Sequence, residues 1–216
     1  MKIIKLSVLL LSLVGLSACE SEPARLPILG PRQGVSTKVV DGKEVTDTLY
    51  HQIPDFAFAS QYGDTITQKN FEGKIYVADF FFTTCPTICP KMTMEMRKLY
   101  EKYKDDPQVM FLSHSIDPKR DSVGRLKQYA TDLGVFGQKS WYFVTGDRKE
   151  IFDIGQNAYF VSAKEDSDEP GGILHSGAFI IIDPQKHIRG IYDGTRDEVV
   201  GEVSEAITLL KNEAGK

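Results

Sequence analysis

GKIYVADFFFTTCPTICPKM, residues 73–92, runs from an apolar segment through two cysteines into a helical pattern. GKIYVADFFF is apolar at both parities rather than alternating, as a strand buried on both faces should be. From Pro90 onward Met92, Met96, Leu99 and Tyr103 recur at helical spacing, and DDP at 105–107 closes that helix. Strand, cysteine loop and helix are therefore contiguous. The chain continues in the same alternation: QVMFLSHSID (108–117) as a strand, SVGRLKQYATDLG (122–134) as a helix, SWYFVTG (140–146) as a strand and DRKEIFDIGQNAYF (147–160) as a helix. An acidic loop, KEDSDEPGG, leads to two strands in GAFIIID and HIRGIYDG and a last helix in RDEVVGEVSEAITLLKN. Upstream, Asp41-Gly42 stands between β-prone segments of STKVVDGKEVTDTLY, a hairpin signal. The predicted class is α/β, a central mixed sheet flanked by helices with an N-terminal β-hairpin extension.

The prolines shape the cysteine loop. Cys85 and Cys89 each precede a proline, which disfavours the α region for both, while Pro90 suits the start of a helix. Cys89 is thus expected near an N-cap, where the positive end of the helix dipole would make it the more readily ionised of the two thiols. Three intervening residues would separate the Cβ atoms by roughly 5–6 Å in a regular helix, beyond the roughly 4 Å of a disulfide. A loop conformation could close a disulfide here, and the same spacing leaves room for a metal ion between the sulfurs. A purely structural staple across so short a loop would remove little entropy from the unfolded chain, which favours a working dithiol.

The first 18 residues read as an export signal: Lys2 and Lys5, then the apolar LSVLLLSLVGLSA. LSAC at 16–19 resembles the bacterial lipobox, which predicts lipidation of Cys19 after cleavage. Residues 19–38, rich in Pro and Gly, are expected to form a membrane tether, and 39–216 the folded domain. The expected location is the bacterial cell envelope, membrane-anchored, with the domain outside the cytoplasm and on the periplasmic side in a Gram-negative cell. Removing Lys2 and Lys5 leaves 24 basic against 30 acidic residues, a charge of −6, so attachment would rest on lipid rather than on anionic headgroups. The acidic balance and the lack of a basic stripe exclude a nucleic-acid binder. Outside the cytosol a close cysteine pair tends towards disulfide unless something reduces it.

DFFFTTCPTICPKM, HSIDPKRDS, WYFVTG and LHSGAFIIIDP, in this order, resemble the Sco/SenC family from about Ile53 to the last helix. That resemblance implies a thioredoxin-like fold and a membrane-tethered copper protein active in assembling the binuclear copper centre of cytochrome c oxidase. It implies copper, as copper(I) or copper(II), held by Cys85, Cys89 and His175. It also implies as partners the copper-bearing oxidase subunit, a thioredoxin-like reductant and other copper chaperones. Two thiolates and an imidazole are a soft three-ligand set suited to copper, whereas structural zinc and Fe–S clusters ordinarily take four ligands.

The remaining candidates read otherwise. His114 shares strand parity with Met110, Leu112 and Ile116, as a buried, hydrogen-bonded core histidine would. His51 and His187, the latter at the start of a strand, read as structural. Met92, Met94 and Met96 carry thioethers able to hold copper(I), but the first and last lie on the core stripe, and packing is the reading adopted. Asp153, Asp166 and Asp168 read as solvated surface. A periplasmic thiol-disulfide oxidoreductase, keeping the oxidase copper-site cysteines reduced, is the alternative function; it would use Cys85 and Cys89 and need no histidine. TTCPT also resembles a peroxiredoxin segment, but that family's Thr three residues before the reactive cysteine is Phe82 here.

Overall fold

The computed structural model describes residues 25–165 and 173–214. Strands β1 (Arg32–Val40) and β2 (Lys43–Tyr50) form a hairpin, followed by β3 (Ala57–Ser60), β4 (Thr65–Thr67) and a single 3-10 turn at Gln68–Phe71. Next come β5 (Ile75–Phe81), α1 (Cys89–Tyr103), β6 (Val109–Ser115), α2 (Val123–Asp132), β7 (Trp141–Thr145) and α3 (Arg148–Asn157). Short β8 (Ala163–Glu165) and β9 (Ile173–His175) pair with each other, and β10 (Ala178–Ile182), β11 (Ile188–Asp193) and α4 (Val199–Ala214) complete the chain.

The main sheet has seven strands in the order β11-β10-β5-β6-β7-β3-β4. β5, β6 and β7 run parallel, and β10 and β3 flank them antiparallel, so the sheet is mixed. All seven residues of β5 are buried, as its two-parity apolar pattern requires. Val77, Asp79 and Phe81 turn to the face covered by α1 and α2, where Tyr100 and Tyr129 meet Phe111, Trp141, Phe81 and Phe143. Tyr76, Ala78 and Phe80 turn to the other face, where α3 approaches closely enough that a Cβ on Gly155 would lie 3.0 Å from the Phe80 ring. α4 lies alongside α1, β10 and β11.

Local chemistry sets the helix boundaries. The predicted stripe of α1 is buried at Met92, Met96 and Leu99, each side chain worth roughly 1.5–3 kcal/mol in burial. Ser122 caps α2 by accepting from the Arg125 amide at 3.3 Å, and Asp147 caps α3 through the Glu150 amide at 3.1 Å. In the hairpin, Asp41 and Gly42 both take positive φ (51° and 74°), the backbone a tight two-residue turn demands.

The N-terminal boundary needs correcting. Residues 19–38 were expected to be tether, yet pairing in β1 starts at Arg32 and the chain is docked on the body from Leu26. Leu29 donates to the Ile188 carbonyl at 2.8 Å, and the buried Arg189 side chain binds the Leu26 and Pro27 carbonyls at 2.6 and 3.2 Å. The proline and glycine content suggested a solvated linker; the orphan carbonyls find a buried guanidinium instead.

Candidate functional site

Phe81 is the last residue of β5, and the next seven residues carry Cys85 across the end of the sheet to α1, which opens on Cys89. The root of this loop is clamped by Asp121. That fully buried carboxylate accepts from the Thr83 amide at 3.1 Å, the Thr83 hydroxyl at 2.5 Å and the Ser115 hydroxyl at 2.6 Å. Arg125 donates to the Thr83 hydroxyl at 3.0 Å from the opposite side. The Cys85 amide then bonds the Phe82 carbonyl at 3.2 Å, tightening the turn. Asp121 lies in HSIDPKRDS, so one motif fixes the backbone that presents the other.

Cys89 is the first residue of α1 and Pro90 the second; Ile88, the N-cap, has αR angles and its side chain provides no cap. Both cysteines are thiols rather than a disulfide, with 8% of Cys85 and 2% of Cys89 exposed. Partial burial would push the Cys85 thiol up, but the Thr87 hydroxyl, 3.5 Å from Sγ, and the amides of Cys89 and Thr87 outweigh it and hold the thiol below its ordinary value. At Cys89 burial dominates and, with the Cys85 thiol and Asp79 carboxyl nearby, pushes the thiol well up against the opposing pull of the Phe82 amide. The expected order of acidity is therefore reversed: Cys85, not Cys89, is the readily ionised thiol. The favourable field of a helix start is smaller than the cost of taking a thiolate out of water.

Below the pair, on the same face, stands a buried acid that the sequence reading passed over. Asp79 has one carboxylate oxygen with no hydrogen-bond partner among the described residues. Burial pushes its pKa up to about 7, against the pull of the Ser113 hydroxyl, which in turn accepts from the Trp141 indole at 2.9 Å. The signal was a charged residue inside an otherwise apolar strand. His114 faces away from Asp79, because β6 pairs Asp79 with Ser113 and alternation sends the next residue to the other face. It is buried, as expected, but its ring nitrogens have no hydrogen-bond partner among the described residues: the ring stacks 4.7 Å from Phe80, with Phe56, Phe58 and Tyr159 around it. Burial lowers its pKa to about 3, the nearby Asp79 carbonyl offsetting little.

The His175 backbone closes β9 opposite Ala163; its side chain lies outside the described residues. The residues after it return towards the cysteine loop. Ser176 and Gly177 line a hollow of about 440 Å³ together with Ile88, Tyr192 and Asp193. The Gly177 carbonyl accepts from Gly194 at 2.6 Å, and a Cβ on Gly177 would lie 3.6 Å from the Met92 sulfur of α1.

The SCO1/SenC family profile matches residues 45–208. The chain belongs to the SCO1/SenC family. The SCO1 homologue of Bacillus subtilis is 29% identical over 174 residues, covering 78% of this chain and 89% of that protein. A SCO1/SenC family lipoprotein of Bacillus anthracis superposes with a TM-score of 0.68 at 27% identity, over 74% of this chain and 95% of its own. Copper-bound ScoI of Bradyrhizobium japonicum gives 0.59 at 25% identity, over 74% and 97%. The thioredoxin-like fold is thus the one shared by Sco proteins, with the N-terminal hairpin added to it.

The other candidates in this Sco-family chain separate cleanly. His51 Nε2 lies 2.8 Å from the Ala158 carbonyl, and His187, in the turn just before β11 rather than in it, faces Asp183 at 3.4 Å; both are structural. Asp153 pairs with Lys149 on the surface, while Asp166, Asp168 and Cys19 lie outside the described residues. Met92 and Met96 are buried as core, but Met94 is 48% exposed. Among the described residues no three His, Cys, Asp or Glu side chains form a metal-holding group, and no helix is long and apolar enough to cross a membrane.

Proposed function

We propose that this protein is a lipid-anchored copper metallochaperone. It takes copper on the reduced Cys85/Cys89 pair with His175 and passes it by ligand exchange to the copper-bearing subunit of cytochrome c oxidase. The observation that carries the reading is the shared hollow: Ile88, which precedes Cys89, and Ser176, which follows His175, line the same cavity. That neighbourhood supports a common site for two thiols and an imidazole, a donor set that suits copper in either oxidation state. The high pKa of Cys89 is no obstacle, since a binding metal displaces the thiol proton. Family membership and the copper carried by the Bradyrhizobium japonicum relative support the cargo. Lipid at Cys19 is supported by the lipobox-like LSAC and by the Bacillus anthracis relative, a lipoprotein. A thioredoxin-like reductant and other copper chaperones are the remaining proposed partners.

A second reading, thiol-disulfide exchange, is favoured by the asymmetry of the pair: an acidic Cys85 suited to attack and a buried Cys89 suited to resolve. His175→Ala separates the two. The variant should bind copper weakly or with altered coordination and fail to restore oxidase activity in a deletion strain, while reducing a small disulfide at the normal rate. Cys89→Ser should lose all three. Wild-type copper affinity and full oxidase activity in His175→Ala would remove the third ligand and give the oxidoreductase precedence.

A further inference from the structure

We propose that the Met94 thioether is a third sulfur ligand for copper(I), held with the Cys85 and Cys89 sulfurs on the α2 side of the pair. The inference rests on the copper-binding reading above and adds a ligand to it. A second cavity, of about 270 Å³, opens beside the cysteines between α1 and α2, and Cys85, Cys89 and Met94 all line it. Thr93, Tyr129 and Leu133 form much of the rest, and no charged side chain lines it.

Helix geometry directs the thioether towards the thiols. Side chains on an α-helix lean back over the turn N-terminal to them, so Met94 leans over Pro90, four residues earlier and next in the chain to Cys89. Pro90 is short, so nothing long stands between the thioether and the thiols on that side. Met94 also differs from its neighbours. Met92 and Met96 fill the core completely, whereas Met94 is a large apolar side chain left 48% exposed at the cavity mouth. Core packing accounts for the first two and not for the third.

The donor chemistry divides by oxidation state. Thiolate and thioether are soft ligands that select copper(I), while imidazole suits copper(II) well. A thioether has no proton to lose, so it can engage the metal without a deprotonation step. Met94 thus provides an exposed, reversible contact through which copper(I) enters or leaves, and His175 completes the set when the metal is copper(II).

The test uses reduced, selenomethionine-labelled protein loaded with copper(I), alone and as Met94→Leu. Copper-edge X-ray absorption should show a copper–selenium shell in the parent protein that vanishes in the variant. Competition with a chromophoric copper(I) chelator should show affinity falling roughly 10-fold or more, at least the loss seen when a supporting partner of a metal ligand is removed. The copper(II) absorption spectrum should be unchanged by Met94→Leu and altered by His175→Ala. A parent protein that binds copper(I) without a selenium shell, or a Met94→Leu protein of undiminished copper(I) affinity, overturns the role of Met94 and leaves the Cys85/Cys89/His175 reading standing. Failure of the parent protein to bind copper in either state overturns both.

Discussion

Hydrogen-bond donors of Thr87 and Cys89 converge on the Cys85 sulfur while Cys89 is more deeply buried, and the two thiols should therefore react in order. Iodoacetamide should label Cys85 first in the reduced protein, with the rate rising to half its plateau below pH 9.0, the ordinary thiol value. Peptide mass mapping across a pH series checks this; Cys89 labelled first would reverse the assignment. Asp79 supplies a stability test in the metal-free protein. Its folded pKa of about 7 lies above the ordinary 3.8, so between those values the folded state holds the extra proton. Stability attributable to Asp79 is then lost as pH rises through that window, by on the order of 1.4 kcal/mol per pH unit at most. Asp79→Asn should accordingly gain on the parent protein in urea melts at pH 8 and not at pH 4. At this scale the sequence was only partly legible. The cysteine pair, the helix start at Pro90 and the burial of His114 could be read from spacing and parity. The acidity order and the missing hydrogen bonds of His114 could not, because Phe56, Phe58 and Tyr159 come from distant segments.

Helices and strands hold the cysteine end together through close backbone approaches. At Gly194 the approach is to backbone as well as side chain: a Cβ there would lie 2.9 Å from the Gly177 carbonyl and 2.7 Å from the Phe179 ring. Gly194→Ala should push the 176–177 segment away from α1, lowering both the melting temperature and copper affinity, whereas Gly201→Ala, with open space around it in α4, should lower neither. Calorimetry and copper titration of the pair separate a local wedge from a general glycine effect. Removing the α2 cap by Ser122→Ala should cost about 1 kcal/mol in denaturant unfolding. The alternation of strands and helices over residues 75–157 was readable because each stretch keeps one period between clear caps and breaks, whereas β8 and β9, three residues each, fell within and beside what reads as an acidic loop. β3 and β4, four and three residues long, were not: so short a pattern carries too little periodicity, and the pairing of β3 with β7 is a long-range contact.

Over the whole molecule, Arg189 ties the first and last parts of the chain to the sheet. Beyond its two carbonyl contacts it pairs with Asp183 at 3.1 Å and Glu213 of α4 at 2.7 Å. Arg189→Ala leaves Asp183 buried without its guanidinium, a change worth roughly 3–5 kcal/mol. It should also expose the chain near Arg25 to trypsin sooner than in the parent protein, which limited digestion would show. The mixed sheet and its flanking helices were legible at this scale; the docking of Leu26 to Leu29 was not, since nothing in RLPIL marks a partner that lies 160 residues away. That docking also fixes which way the molecule points. Leu29 meets Ile188 at the turn end of β10–β11, while Cys85 follows the opposite end of β5. With lipid on Cys19, as proposed, the seven residues from Glu20 to Leu26 can span at most about 25 Å, and the seven-residue β5 adds about 23 Å beyond it. Contour length alone would then put the thiols within about 50 Å of the bilayer, on the side of the body away from the lipid.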